Sequence, residues 1–134
     1  MLPPAKRHDP DFLIGNMLPV CITEDEGAAL VLHRRRLVRY ALLPNYRNYW
    51  KEADYGEEMA AIERALAENC RDDIARCLTD RWIADNTLYG RAAKVRDRLG
   101  EWYAAGLNTP VLVPNSVNGG QLTALEEIFA AFVD

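Results

Sequence analysis

His33-Arg34-Arg35-Arg36 sets an imidazole and three guanidinium groups in consecutive positions, a run that invites a phosphate-binding or nucleic-acid reading. Four successive helical residues spread around most of a turn and make no single patch. Glu24, Asp25 and Glu26 are close by to offset them, so a solvated helix face is expected. Pro44-Asn45-Tyr46-Arg47-Asn48-Tyr49-Trp50 is dense in rings and amides. Rings with polar tips can stack on a planar ligand or fill a subunit interface, and they can equally pack as a short helix into a core. Cys21, Cys70 and Cys77 are odd in number and none lies in a CxxC, so neither a disulfide framework nor a metal site is expected. On one continuous helix Cys70 and Cys77 would be about 10 Å apart, beyond disulfide reach. Buried reduced thiols are the expectation.

The chain that must position these groups has 134 residues, 49% hydrophobic and 27% charged, enough for one core and not for two large domains. A net charge of -4 gives no general attraction to nucleic acid or to an anionic membrane. No apolar run approaches the roughly 20 residues that span a bilayer, and the first residues lack the apolar stretch of a signal peptide. A cytoplasmic protein follows as the expectation, with residues 1–11 a proline-rich linker or loop and 12–134 a single domain.

Residues 12–23 form the first regular element, with a strand over 18–23 in which Pro19 removes one ladder donor. Thr23-Glu24-Asp25-Glu26 has the capping-box pattern, so a helix is predicted from here to about Leu43, with Leu30, Leu37 and Ala41 beside Val31, Val38 and Leu42 as its inward stripe. Helices follow over 57–68, with Met59, Ile62 and Leu66 inward, and over 71–79, with Ile74, Cys77 and Leu78 inward. Residues 80–89 fit a short strand or a helical turn equally.

From Gly90 the pattern sharpens. A helix carrying Val95, Leu99, Trp102 and Tyr103 on one face stops at Gly106 in the manner of a glycine C-cap. The strand predicted over 107–113 is apolar without alternation after Thr109, as expected where both faces are covered. A loop over 114–120 leads to a last helix with Leu122, Leu125, Phe129, Phe132 and Val133 inward. Parallel strands joined by helices are the simplest architecture.

Three segments together resemble the C-terminal part of the luciferase-like monooxygenases. They are Leu18-Pro19-Val20-Cys21-Ile22-Thr23-Glu24-Asp25 with its helix, Leu42-Leu43-Pro44-Asn45-Tyr46-Arg47-Asn48, and the run from Leu99-Gly100-Glu101-Trp102-Tyr103 to Val113-Pro114. The resemblance implies an α/β fold, a partial (β/α)8 TIM barrel amounting to about the last three strand-helix units of a form that takes roughly 250 residues. It implies flavin (FMN) or deazaflavin F420 as cofactor and oxidoreductase or monooxygenase chemistry. Because such sites lie at the carboxyl ends of strands, it points to Thr23, Pro114, Asn115 and Ser116, with Tyr46, Arg47 and Trp82 as lining groups. No catalytic residue transfers, since the early strands of the barrel have no counterpart.

One departure from the family pattern stands after Gly90, where Arg91-Ala92-Ala93-Lys94 puts two cations at a helix start and opposes its dipole. A bound phosphate would offset them; surface variation is the other reading. Two functions of different class remain at this level. One is the C-terminal portion of a flavin- or F420-dependent oxidoreductase, forming part of the wall of its substrate or cofactor site. The other is a non-catalytic barrel remnant that buries its open edges as a homo-oligomer or against another chain, such as a missing barrel half.

Overall fold

A computed structural model describes residues 13–133. The linker expected over 1–11 lies outside the described residues. Three strands, β1 (Gly15–Ile22), β2 (Leu88–Gly90) and β3 (Thr109–Asn115), form a parallel sheet in the order β2-β1-β3. Seven helices accompany them among the described residues: α1 (Glu26–Ala41), α2 (Pro44–Glu52), α3 (Gly56–Ala67), α4 (Ile74–Cys77), α5 (Asp80–Asn86), α6 (Ala92–Ala104) and α7 (Gln121–Phe132). The chain divides into two compact units: a sheet unit of residues up to Glu26 and from Thr87 onward, and a helical unit, Gly27–Asn86.

In the sheet unit β1 is central. It runs beside β3 over seven consecutive pairs, from Gly15 with Thr109 to Cys21 with Asn115. Its start is clamped by Asn108, whose Oδ1 accepts from Ile14 N–H at 2.8 Å while its own N–H donates to Ile14 O at 3.0 Å. Strand β2 pairs only with Val20, Cys21 and Ile22. The Thr23 N–H reaches Gly90 O at 2.9 Å, so the odd-numbered amides of β1 turn toward β2. Pro19 is among them and lies below the short β2, which is why a proline in the middle strand costs no ladder bond.

Alternation then sorts the side chains. Leu18, Val20 and Ile22 share one face with Leu112 and pack with Val95, Leu99 and Trp102 of α6, Ile128 of α7, and Leu88 and Leu107. Each such aliphatic side chain, fully buried, contributes about 1.5–3 kcal/mol. Met17 and Val111, paired across the strands, share the opposite face and are 66% and 48% exposed. The expectation that β3 is covered on both faces therefore fails at Val111, and the second face is buried only at the carboxyl end, at Asn115 and its partner Cys21.

The last helix is also turned from its expected orientation. Leu122, at 77%, and Phe129, at 65%, face outward with Val133, while the buried positions are Ala124 and Ala131. Small residues let α7 lie close to β1 and β3, and the Arg96 guanidinium fastens its end by donating to Ala131 O at 2.9 Å.

In the helical unit α1 buries Ala29, His33, Leu37 and Ala41, one position every four residues, so the inward stripe is not the expected one through Leu30 and Val31. His33 is 1% exposed and Arg34 is drawn in as well, donating from Nε to Leu78 O at 3.0 Å and pairing with Asp80. Only Arg35 and Arg36 match the solvated face predicted for the tetrad.

Three helices stop by the same device. Asp54 (φ 74°), Asn69 (φ 58°) and Gly106 (φ 109°) adopt left-handed backbone just past α2, α3 and α6. The amide after each reaches back to the helix: Tyr55 to Trp50 O, Cys70 to Ala65 O and Leu107 to Trp102 O, at 3.0, 2.8 and 3.1 Å. This is the Schellman arrangement, which satisfies carbonyls the helix leaves open. The stop after α3 separates Cys70 from Cys77, so no continuous helix carries both.

Candidate functional site

In parallel α/β sheets ligands gather at the carboxyl ends of the strands, where the following helices begin. Here that edge collects Thr23 just after β1, Gly90 and Arg91 at the end of β2, and Asn115 and Ser116 at the end of β3. The structure thus brings together three of the residues predicted from the sequence: Thr23, Asn115 and Ser116. Pro114 lies beside them, paired with Val20.

Thr23 Oγ1 accepts from Asp25 N–H at 3.0 Å, a local turn ahead of α1. The expected capping box does not form as such, because α1 starts at Glu26 and the Glu26 carboxylate is held elsewhere. Ser116 repeats the turn, its Oγ accepting from Asn118 N–H at 3.0 Å. Both hydroxyls keep a proton to donate. Asn115 is buried; its amide Nδ2 donates to Val113 O at 3.0 Å. Asn118 Nδ2 donates to Glu127 Oε1 at 2.8 Å and ties the loop after β3 to α7. These groups can orient a polar ligand, and Cys21 lies beneath them. Burial pushes the Cys21 thiol up, the Val117 amide that bonds to it opposes this, and Glu127 adds to the rise. Its neutral thiol form is favoured there.

The cations after Gly90 find partners in the chain itself. Arg91 Nε lies 3.3 Å from Glu24 Oε1, and Lys94 Nζ lies 2.8 Å from Glu26 Oε2 and 5.1 Å above the Tyr89 ring. Two acids at the start of α1 thus neutralise two bases at the start of α6. The unfavourable charge at that helix start is offset without a phosphate. Glu24 and Glu26 do not serve the arginine tetrad, as the sequence had suggested. These four residues were missed as neighbours, although matching charge signs at two helix starts following parallel strands is a readable signal.

Tyr46, Arg47 and Trp82 belong to the helical unit. Arg47 is buried, donates from Nη1 to Ala41 O at 2.9 Å, and sets Nε 3.6 Å from Glu63 Oε1. It closes the C-terminus of α1, where a cation suits the helix dipole. Lys51 shares the same carboxylate at 2.7 Å and, as the main cause, holds the Glu63 carboxyl below its usual value. Trp82 is fully buried and meets Trp50 in a T-shaped contact, 4.7 Å between centroids and 81° between planes. Tyr46 packs 5.6 Å from Trp50 and 5.3 Å from Tyr40. The aromatic segment therefore forms a short helix with Trp50 inward, leaving Tyr49 exposed.

No family model matches the sequence, and neither a curated protein nor a solved structure matches it. Among the described residues no group of three or more His, Cys, Asp or Glu could hold a metal ion, and no helix is long and apolar enough to cross a membrane.

Proposed function

We propose that the chain is the C-terminal portion of a luciferase-like flavin- or F420-dependent oxidoreductase, and that it supplies part of the wall of the substrate or cofactor site. The observation that carries this reading is the one-sided sheet. Helices α6 and α7 cover one face of β1 and β3, while on the other Met17 and Val111 stay exposed and burial is confined to the carboxyl end, at Cys21 and Asn115. A barrel is built from staves with helices outside and side chains filling the inside, whereas open doubly wound sheets carry helices on both faces. Consecutive barrel staves lie side by side, and β2 departs from that order. Its three residues touch only the last part of β1, which fits an addition at the rim better than a stave.

The residues at the carboxyl edge do not by themselves fit a phosphorylated flavin. Arg91 and Lys94 are already paired with carboxylates, and one N–H of the Asn115 amide is taken by Val113 O. The chain accordingly contributes Thr23, Asn115 and Ser116 as wall groups, with FMN or F420 held mainly by the rest of a barrel. Titrating isotope-labelled protein with FMN, and separately with F420, tests this. Weak amide shifts at millimolar cofactor, confined to Thr23, Gly90, Asn115 and Ser116, are expected; no response to either cofactor at those amides even at that concentration overturns the reading. The unpaired thiols Cys21, Cys70 and Cys77 fit a reducing, cytoplasmic setting.

A second reading, a non-catalytic module that binds a partner or itself, is favoured by α7. Leu122, Phe129 and Val133 present an apolar outer face to solvent, which soluble monomers seldom keep without a use. Sedimentation of the chain and of Phe129→Lys separates the two readings: association that the substitution abolishes supports the module.

A further inference from the structure

Proline sits twice on β3, and both prolines fall on the same side of the strand. Thr109 N–H donates to Ile14 O at 3.1 Å, and from there Val111, Val113 and Asn115 turn their amides toward β1 in register. Backbone groups alternate along a strand, so Pro110, Leu112 and Pro114 turn theirs outward. Among the described residues no strand lies on that side. The outer edge of β3 thus offers carbonyls at all of these positions and one N–H, that of Leu112, because proline carries none.

We propose that Pro110 and Pro114 leave the outer edge of β3 too poor in donors to pair with the same edge of a second copy of this chain. Copy against copy, the arithmetic fails. In an antiparallel pair centred on Leu112, Pro110 of one chain faces Pro114 of the other, carbonyl against carbonyl, with no N–H between them. Only the two Leu112 residues can exchange bonds. A parallel pair of two β3 edges is no better, since the second β3 brings the same single donor. Edge prolines and missing donors are a general means of preventing strand addition between identical chains. The device does not depend on the oxidoreductase reading, because it concerns the backbone of this chain alone.

Two measurements test it. In the unaltered protein, the Leu112 amide should exchange with solvent at a rate independent of protein concentration; protection that grows with concentration overturns the proposal. Pro110→Val with Pro114→Val restores both donors and keeps apolar, strand-compatible side chains. The folded double variant should self-associate at a concentration about tenfold or more below that of the parent, with concentration-dependent protection at residues 110, 112 and 114. A double variant with the parent's circular dichroism and the parent's association curve overturns it. Should the double variant not fold, the exchange measurement on the parent decides alone.

Discussion

Lys94 Nζ lies 2.8 Å from Glu26 Oε2, and both side chains close over Gly90, where a Cβ would sit 2.9 Å from Lys94 Cδ and 3.1 Å from Glu26 Oε1. Three features of the carboxyl edge therefore depend on one another: a left-handed glycine at φ 119°, the turn from β2 into α6, and the ion pair above it. Gly90→Ala should destabilise the fold by about 1–3 kcal/mol, since an L residue is strained at that φ and also displaces the lysine. The ion pair itself, half-exposed on both sides, is worth far less. A double-mutant cycle over Lys94→Ala and Glu26→Ala should return a coupling of about 0.2–1 kcal/mol that fades in concentrated salt. Chemical denaturation of the variants measures both.

The orientation of α7 gives a contrast between two neighbouring positions. If Phe129 packed inward, as its spacing with Leu122, Leu125 and Phe132 predicts, removing its ring would cost about 3–5 kcal/mol. It points outward, so Phe129→Ser should change stability by no more than about 0.5 kcal/mol. Ala131 is the buried position, and Ala131→Leu should cost about 1–3 kcal/mol by forcing α7 away from the sheet. Urea midpoints of the two variants in the reverse order would show that the helix face is misassigned.

Much of this architecture is written in local signals, and the errors share a cause. The α/β alternation after Gly90, the glycine stop at Gly106 and the end of α1 ahead of Pro44 were legible, because each depends on a residue's own backbone preferences. The burial of α7 was not. Large apolar residues ordinarily mark the inward face, but close approach to a sheet selects alanine, and so Ala124 and Ala131 went unnoticed behind Leu122 and Phe129. The same reasoning hid His33, whose polarity argued for solvent although its spacing from Ala29 and Leu37 is helical. At the carboxyl edge, Thr23, Asn115 and Ser116 could be named once strand ends were assigned. Arg91 with Glu24 and Lys94 with Glu26 could not, because their pairing is set by which strands are neighbours.

Tyr55 offers a titration with a defined sign. Burial is the largest cause of its raised pKa; its hydroxyl also donates to Asp85 Oδ2 at 2.7 Å, and the Asp85 charge adds to a value pushed up to about 12, against opposition from Arg81. A folded-state pKa above the unfolded value of about 10 means that the neutral phenol is favoured in the native protein. The associated stability is fully present below about pH 10 and is lost as pH rises through about 12. Asp85→Asn removes the charge and weakens the hydrogen bond, so the phenolate absorbance of Tyr55 should appear at lower pH in this variant. An unchanged titration curve would mean that the aspartate is not the partner in solution.

The thiols test how the sheet unit closes over its strand end. The sequence led to an expectation of buried cysteines, yet Cys70 is exposed after the Schellman stop of α3, Cys77 is intermediate, and only Cys21 is buried. Burial raises the pKa of Cys21 and of Cys77, with Glu127 adding to the first and Asp73 to the second, so both are poorer in thiolate at neutral pH than an ordinary cysteine. Reactivity follows thiolate fraction and access together. Iodoacetamide should therefore label Cys70 first, Cys77 more slowly, and Cys21 only at the rate at which the loop after β3 opens. Glu127→Gln alters the residue that holds that loop through Asn118 and should accelerate labelling of Cys21 alone, read by mass spectrometry of the peptides. Labelling of Cys21 as fast as Cys70 in the unaltered protein would show that the carboxyl edge of β1 is open in solution and that Asn115 and Val117 do not shield it.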